Sequence, residues 1–287
     1  MKLVGLYVHP EKEAARTFAV QVLDWLEERN IRVWLDSETA NQIHRPEIKM
    51  DEAALSQMKL LITLGGDGTI LMASRLVANH GVPILGVHLG QFGFVAEAHP
   101  GNLFSLLERA IGGQSEWEDR SMVQGEVWRN GEIVHSDRAL NDIVINKGAR
   151  SRMVRLQTSI RGEDFASYPA DGVIVSTPTG STAYALSAGG PLVEPTIQAL
   201  LLVPICPHAL SARPLLLPHD ERITITLSSD GQEVFFSADS ACEFPLKSGD
   251  RIEIRVAPVA TRLVVERHGS FYGKVRKRLL WGERVNA

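Results

Sequence analysis

The stretch that most constrains this chain is Leu60-Leu61-Ile62-Thr63-Leu64-Gly65-Gly66-Asp67-Gly68-Thr69. An apolar run of this length reads as a buried strand, and it stops at three glycines wrapped around one carboxylate. From Thr69 onward Ile70-Leu71-Met72-Ala73-Ser74-Arg75-Leu76-Val77 has helical periodicity. A strand, a glycine turn and a helix start together make a place for phosphate. Glycine permits close backbone approach, N–H groups point outward, and the helix dipole favours negative charge. Asp67 would repel phosphate there, so it needs another task, such as meeting Mg²⁺ or accepting a proton from an attacking hydroxyl. The plainer alternative is a tight turn with Asp67 as a cap.

Around this turn the chain alternates strand and helix up to about residue 113. Leu3 to Val8 reads as strand, Glu11 to Asn30 as helix, Ile31 to Leu35 and Lys59 to Leu64 as strands. Thr69 to Asn79 reads as helix, Val82 to Val87 as strand, and Asn102 to Ile111 as helix. Such alternation implies a mostly parallel sheet with helices on its faces. Residues 36–58 are polar with weak periodicity and read as a mobile connection. From about residue 115 the period changes to two. Asn130-Gly131 between Met122–Trp128 and Glu132–His135 signals a hairpin. A second turn is expected at Arg161 to Asp164, and Arg222–Leu227 and Arg251–Val256 alternate cleanly. This half is expected to be β-rich, in a sandwich or stacked sheets, with helix confined to 181–190 and 195–200.

A formal charge of −4 argues against nucleic acid or an anionic membrane as the main partner. The basic groups Arg150, Arg152 and Arg155, and Lys274, Arg276, Lys277 and Arg278, read as solvated faces or strand edges. Cys206 and Cys242 lack the spacing of a disulfide framework or a metal site. Met1 to Glu13 reads as a first strand rather than a signal peptide, and no apolar run has the length of a membrane span. These features point to a cytoplasmic protein.

The second informative stretch runs from Asp171-Gly172 through the apolar Val173-Ile174-Val175 into Ser176-Thr177-Pro178-Thr179-Gly180-Ser181-Thr182-Ala183-Tyr184. It ends after Ser187 at Gly189-Gly190-Pro191. Six hydroxyl groups in nine residues suit a polar ligand with many acceptors, beside a ring for Tyr184 to stack on. The alternative is an over-capped strand–helix joint. Asn141-Asp142 precedes the apolar run Ile143-Val144-Ile145. Asp171-Gly172 taken alone reads as a hairpin turn.

These segments resemble the bacterial NAD kinases, which use ATP or polyphosphate, over nearly the whole chain. The resemblance is carried by Gly65–Thr69, Val82–Val87 with Leu89-Gly90 and Gly93-Phe94, Leu140-Asn141-Asp142, Ala170-Asp171-Gly172, Thr177–Pro191 and Val203–His208 with Ser211–Pro214. It implies a Rossmann-like α/β domain (1–113), followed by a β-rich NAD-binding and oligomerisation domain (114–265). A tail (266–287) would return to the first domain. It further implies transfer of the terminal phosphoryl of ATP or polyphosphate to the adenosine 2′-hydroxyl of NAD. Mg²⁺ or another divalent cation would be carried with the donor, and the chain would form a homodimer or homotetramer. By position, Asp67 would be the general base. Gly65, Gly66, Gly68 and Thr69 would border the phosphates. NAD would be met by Asp67, Gly68, Phe94, Asn141, Asp142, Asp171, Thr182, Ala183, Tyr184 and Ser187, with Arg152 near a subunit contact.

The resemblance departs at His88 and Leu280, where Asn and Gly are usual, at Asp142 for Glu, at Gln91-Phe92, and at Ala241 beside Asp239-Ser240. A lipid kinase sharing the glycine turn would need a large apolar acceptor pocket. A non-catalytic dinucleotide-binding regulator would not need Asp67. Neither a Walker Gly-x-x-x-x-Gly-Lys-Ser/Thr nor a Gly-x-Gly-x-x-Gly motif occurs.

Overall fold

The structure is a computed structural model; it describes residues 3–48, 52–90, 93–228, 231–241, 243–266 and 271–281. Gln91, Phe92 and Cys242, singled out above, lie outside the described residues, as does much of the 266–287 tail. The chain divides into two compact units. One comprises residues up to 119 together with those from 261 onward, and the other residues 120–260.

In the first unit, four parallel strands, β1 (Leu3–Val8), β2 (Arg32–Trp34), β3 (Met58–Gly65) and β4 (Ile84–His88), lie in the order β2-β1-β3-β4. Helix α1 (Glu13–Glu27) buries Ala15, Ala19, Val22, Leu23 and Leu26, the i, i+3, i+4 stripe that drives it onto the sheet. Its core continues through Val4, Leu6, Leu60, Ile62 and Leu85 to Leu103, Leu106 and Leu107 of a later helix, Leu103–Ile111.

Residues 36–58 differ from the sequence expectation. They hold a helix, α2 (Ser37–Gln42), and 3₁₀ turns at Pro46–Ile48 and Glu52–Gln57. Asp36 caps α2, its carboxylate accepting from the Thr39 N–H at 2.8 Å. Helix α3 (Asp67–Val77) follows β3 after a single residue, and α4 is the Leu103–Ile111 helix.

The second unit is antiparallel. After β5 (Glu116–Arg129) and β6 (Glu132–Ala139), joined at Asn130-Gly131 with φ of 55° and 85°, the chain forms β7 (Asp142–Lys147). Next come β8 (Val154–Ile160), β9 (Glu163–Ala170) and β10 (Gly172–Ser176). A short helix, α5 (Tyr184–Ser187), precedes β11 (Ala199–Ile205), β12 (Leu215–Pro218) and β13 (Ile223–Leu227). The last strands are β14 (Val234–Ala238), β15 (Glu243–Leu246) and β16 (Arg251–Val265), and helix α6 (Phe271–Leu279) belongs to the first unit.

One sheet has the order β12-β11-β10-β7-β14-β15, and β16, β13, β8 and β9 pair consecutively. Strands β7, β10 and β11 are buried on both faces. Ile143, Ile145, Val173, Val175, Leu200 and Leu202 enter one core, while Val144, Ile174, Leu201 and Val203 enter another beneath α5. Covering on both faces is why these strands read as unbroken apolar runs rather than alternation.

Helix was expected at 195–200, but Ala199 begins β11. Ile197 N–H closes a turn on the Glu194 carbonyl, and Ala199 onward is drawn into the buried sheet, where it pairs with β12. The 181–190 helix shortens to a 3₁₀ turn at Thr179–Thr182 followed by α5. Among the described residues no helix is long and apolar enough to cross a membrane.

Candidate active site

In the first unit the glycine turn is shaped by contact rather than by left-handed backbone. A side chain on Gly65 would begin 2.0 Å from Thr69 Oγ1, so only glycine lets β3 run straight into α3. Gly66 N–H donates to Thr69 Oγ1 at 3.3 Å, and the Thr69 and Ile70 N–H groups return to the Gly66 carbonyl. Those bonds leave the Asp67 and Gly68 N–H groups without a partner among the described residues. Gly68 is exposed, and a Cβ there would meet nothing within 4 Å. The Lys12 ammonium comes within 3.9 Å of the point where a Gly66 side chain would begin, placing a cation at the mouth of the turn.

Asp67 does not point into its own glycine turn. Its carboxylate accepts from three consecutive amides of a distant loop: Phe94 N–H at 2.8 Å, Val95 N–H at 3.3 Å and Ala96 N–H at 3.2 Å. Gly93 makes room for this, since a Cβ there would lie 2.1 Å from Asp67 Oδ1. The three donors compensate the carboxylate's charge and fix its orientation. The expected repulsion between Asp67 and a phosphate on the turn is thereby reduced. The sequence alone gave no sign of this partner.

The second unit repeats the device. Asp239, at φ 51°, accepts from Leu140 N–H at 2.8 Å, Asn141 N–H at 2.8 Å and Asp142 N–H at 3.3 Å. It thereby fixes the start of β7, where Asn141 and Asp142 sit. Asp142 is buried, and burial first, then the negative charge of Asp239, pushes its carboxyl up to about 7. Asn141 is also buried, and its Oδ1 has no partner among the described residues. A buried amide oxygen left without a donor is a place for a ligand donor.

The hydroxyl-rich segment corrects one expectation. Ser176 Oγ donates to the Asn141 carbonyl at 3.1 Å, and Thr177 Oγ1 to the Leu140 carbonyl at 2.6 Å. Ser181 bonds to Val193, and Thr182 Oγ1 to the Thr179 carbonyl at 3.1 Å. Four of the six hydroxyls thus bond to backbone, Ser176 and Thr177 tying the end of β10 to the start of β7 and Ser181 and Thr182 bracing the turn that follows, because buried backbone groups there need partners. They build the site's frame. Gly180 is part of that frame: a Cβ would begin 2.2 Å from the Asn141 carbonyl oxygen.

The groups left facing outward are Tyr184 and Ser187, three residues apart on the exposed face of α5, with half-buried Thr182 and Ala183 before them. Burial raises the Tyr184 phenol above its ordinary value, and Cys206, Asp142 and Asp171 raise it further, which places Tyr184 within electrostatic reach of both carboxylates. Asp171 is not in a hairpin. It is the link at which the chain leaves β9 for β10 in the other sheet, and Gly172 is required because a Cβ would meet the Ile145 carbonyl at 2.3 Å. The Asp171 side chain is part-exposed and 3.7 Å from Lys147 Nζ. Arg152 lies on the exposed loop before β8, its backbone N–H donating to Gln232 Oε1 at 2.7 Å. Phe94 is half-buried on the loop that holds Asp67.

Lys274 was grouped with a solvated basic face, and the structure corrects this. It is buried on α6, paired with Glu97, and donates to the Phe94 carbonyl at 3.2 Å. Among the described residues no group of three or more His, Cys, Asp or Glu side chains could hold a metal ion.

Taken each by itself, the first unit has the glycine-flanked carboxylate at a helix start that a phosphotransferase class of protein uses, and the second presents carboxylates, an open amide and a tyrosine suited to a polar nucleotide. Two family models cover the chain: the ATP-NAD kinase N-terminal domain matches residues 4–115 and the ATP-NAD kinase C-terminal domain residues 140–265. The chain belongs to the NAD kinase family. It is similar to the NAD kinase of Moorella thermoacetica, 42% identical over 282 residues, covering 98% of this chain and 90% of that protein. The NAD kinase of Heliobacterium modesticaldum is 40% identical over 283 residues, with 98% and 100% covered. Among solved structures, yeast NADH kinase complexed with NADH aligns with a TM-score of 0.92 at 28% identity, covering 100% of this chain and 90% of that one.

Proposed function

We propose that this chain phosphorylates NAD at the adenosine 2′-hydroxyl, with Asp67 as the general base and ATP as the donor. The observation that carries the reading is the Asp67 carboxylate itself. Held by three amides at the start of α3, it is oriented before any substrate arrives. A ribose hydroxyl is a weak acid, so one oriented acceptor within hydrogen-bond reach is the least the reaction requires. Phosphoryl transfer otherwise needs positioning and charge compensation more than covalent chemistry.

The donor phosphates are assigned to Gly65, Gly66, Gly68 and Thr69. Support comes from the partnerless Asp67 and Gly68 N–H groups, the start of α3 and the nearby Lys12. A divalent cation carried with the donor would supply charge neutralisation of its phosphates. NAD is assigned to Asn141, Asp142, Asp171, Thr182, Ala183, Tyr184 and Ser187, with Phe94 and Gly68 nearer the reacting end. The open Asn141 Oδ1 and the raised Asp142 carboxyl suit hydroxyl and amine donors of a nucleoside. Self-association is assigned to the β-rich unit, with Arg152 at the contact. Purified protein given NAD, Mg²⁺ and either ATP or polyphosphate tests the reading. NADP formation with ATP is the expected result, and no NADP with either donor would refute it.

A further inference from the structure

One buried ion pair in the first unit has a direct line to Asp67. Lys274 is 8% exposed, although it lies on a helix whose neighbours Arg276, Lys277 and Arg278 face outward. Its ammonium pairs with the equally buried Glu97 and also donates to the Phe94 carbonyl at 3.2 Å. That carbonyl and the Val95 N–H belong to one peptide group. On the other side of the same group, Val95 N–H donates to Asp67 Oδ1 at 3.3 Å. The order is therefore ammonium, peptide oxygen, peptide N–H, carboxylate, with a single rigid plane between the two charges.

This arrangement does two things. The peptide is pinned at both ends, so it cannot rotate and withdraw the Val95 N–H from Asp67. Each hydrogen bond also polarises the next, because the ammonium draws electron density toward the Phe94 oxygen and sharpens the donor at Val95. Stability does not by itself explain a lysine here. A buried ion pair is typically no more stabilising than an apolar pair of the same volume, whereas it fixes orientation. Glycine at position 93 and the buried Val95 and Ala96 complete a loop whose amides converge on one carboxylate.

We propose that Lys274, reaching from α6, is a positioning residue for phosphoryl transfer: through the Phe94–Val95 peptide it holds the amide array that aims the Asp67 carboxylate. The proposal rests on Asp67 being the base. It gives α6 a role in turnover rather than only in folding, and it predicts a loss in kcat with little change in NAD affinity.

The test uses the full chain, with steady-state NADP formation at saturating NAD and ATP. Lys274→Met leaves Glu97 without its ammonium and is the variant most exposed to misfolding. Lys274→Met with Glu97→Met replaces the ion pair by an apolar pair and keeps the fold while removing the donor to Phe94. For the double variant, kcat is expected to fall about ten- to a hundredfold, the scale of a carboxylate displaced by roughly an ångström. KM for NAD should stay within about threefold, since uniform binding is untouched. In an Asp67→Asn background the same two substitutions should cause no further loss, because residues acting through one group are not additive. A double variant with wild-type kcat, or one whose loss is fully additive with Asp67→Asn, overturns the proposal. Wild-type turnover by Asp67→Asn alone would instead overturn the base assignment beneath it.

Discussion

Gly93→Ala is the sharpest small perturbation of the proposed machinery. Gly93 is not among the glycines with positive φ, so alanine brings no backbone strain. Its cost is steric. The new Cβ would lie 2.1 Å from Asp67 Oδ1 and 2.4 Å from Cγ and Oδ2, where ordinary contact begins at 3.4 Å. The carboxylate must therefore retreat by about 1 Å, and such a displacement of a reacting group costs roughly a hundredfold in rate. That is about 2.7 kcal/mol of transition-state stabilisation. Overpacking adds a stability cost of about 1–3 kcal/mol, a few degrees in Tm. Turnover at saturating substrates, with NAD affinity measured by calorimetry, separates the two effects. The expected result is kcat down about a hundredfold with NAD affinity within about threefold. Asp67→Ala removes the clash, so adding Gly93→Ala to it should lower Tm no further. A Gly93→Ala enzyme within about threefold of wild-type kcat would refute the claim that the loop's approach sets the position of Asp67.

Three further outcomes follow from the second unit. The Asp142 carboxyl is raised from 3.8 to about 7 in the folded protein, so the fold binds its proton more tightly than the unfolded chain does. The stability this supplies is full below pH 4 and is lost as pH rises toward 7. Asp142→Asn should therefore flatten the pH dependence of Tm across that window, and an unchanged slope would contradict it. Asp171→Ala should weaken NAD binding by about 1.5–3 kcal/mol, roughly ten- to a hundredfold, if its carboxylate accepts from the dinucleotide; unchanged affinity in calorimetry would remove that assignment. Light scattering should give a mass at least twice the 31.6 kDa of one chain, whereas a fully active monomer would defeat self-association.

Much of the fold was legible because local signals and tertiary contacts agree. The apolar run ending at Gly65 and the helical period from Thr69 locate β3, the turn and α3 within two residues. Asn130-Gly131 names its own hairpin, since both residues take left-handed φ. The partner of Asp67 was not legible. Backbone amides carry no side-chain signature, and Phe94 is 27 residues away in sequence. The burial of Lys274 was hidden for a related reason. Which face of α6 is covered depends on Glu97 and Phe94, far from it in the chain.

The hydroxyl-rich run misled in a different way. Its composition marks a place with many polar groups, but not whether those groups serve a ligand or the backbone beside it. Leu280 shows the converse. Its φ of 51° just past α6, with Trp281 N–H bonding back to Arg276, is the helix ending that glycine serves best, and a leucine there gives no such signal.

The central claim is that Asp67 accepts the proton of the NAD hydroxyl, and Asp67→Asn tests it most directly. Asparagine preserves shape and is not a base at neutral pH; its carbonyl oxygen can keep the Val95 and Ala96 N–H groups, while its amide nitrogen takes the place of Oδ2 and gives up the Phe94 N–H bond. Single-turnover NADP formation, measured beside NAD binding for wild type and variant, should show a rate loss on the order of 10²–10⁴ with affinity nearly unchanged. An Asn variant that keeps more than about a tenth of the wild-type rate would contradict the account, and would leave Asp67 as the anchor of the 94–96 loop.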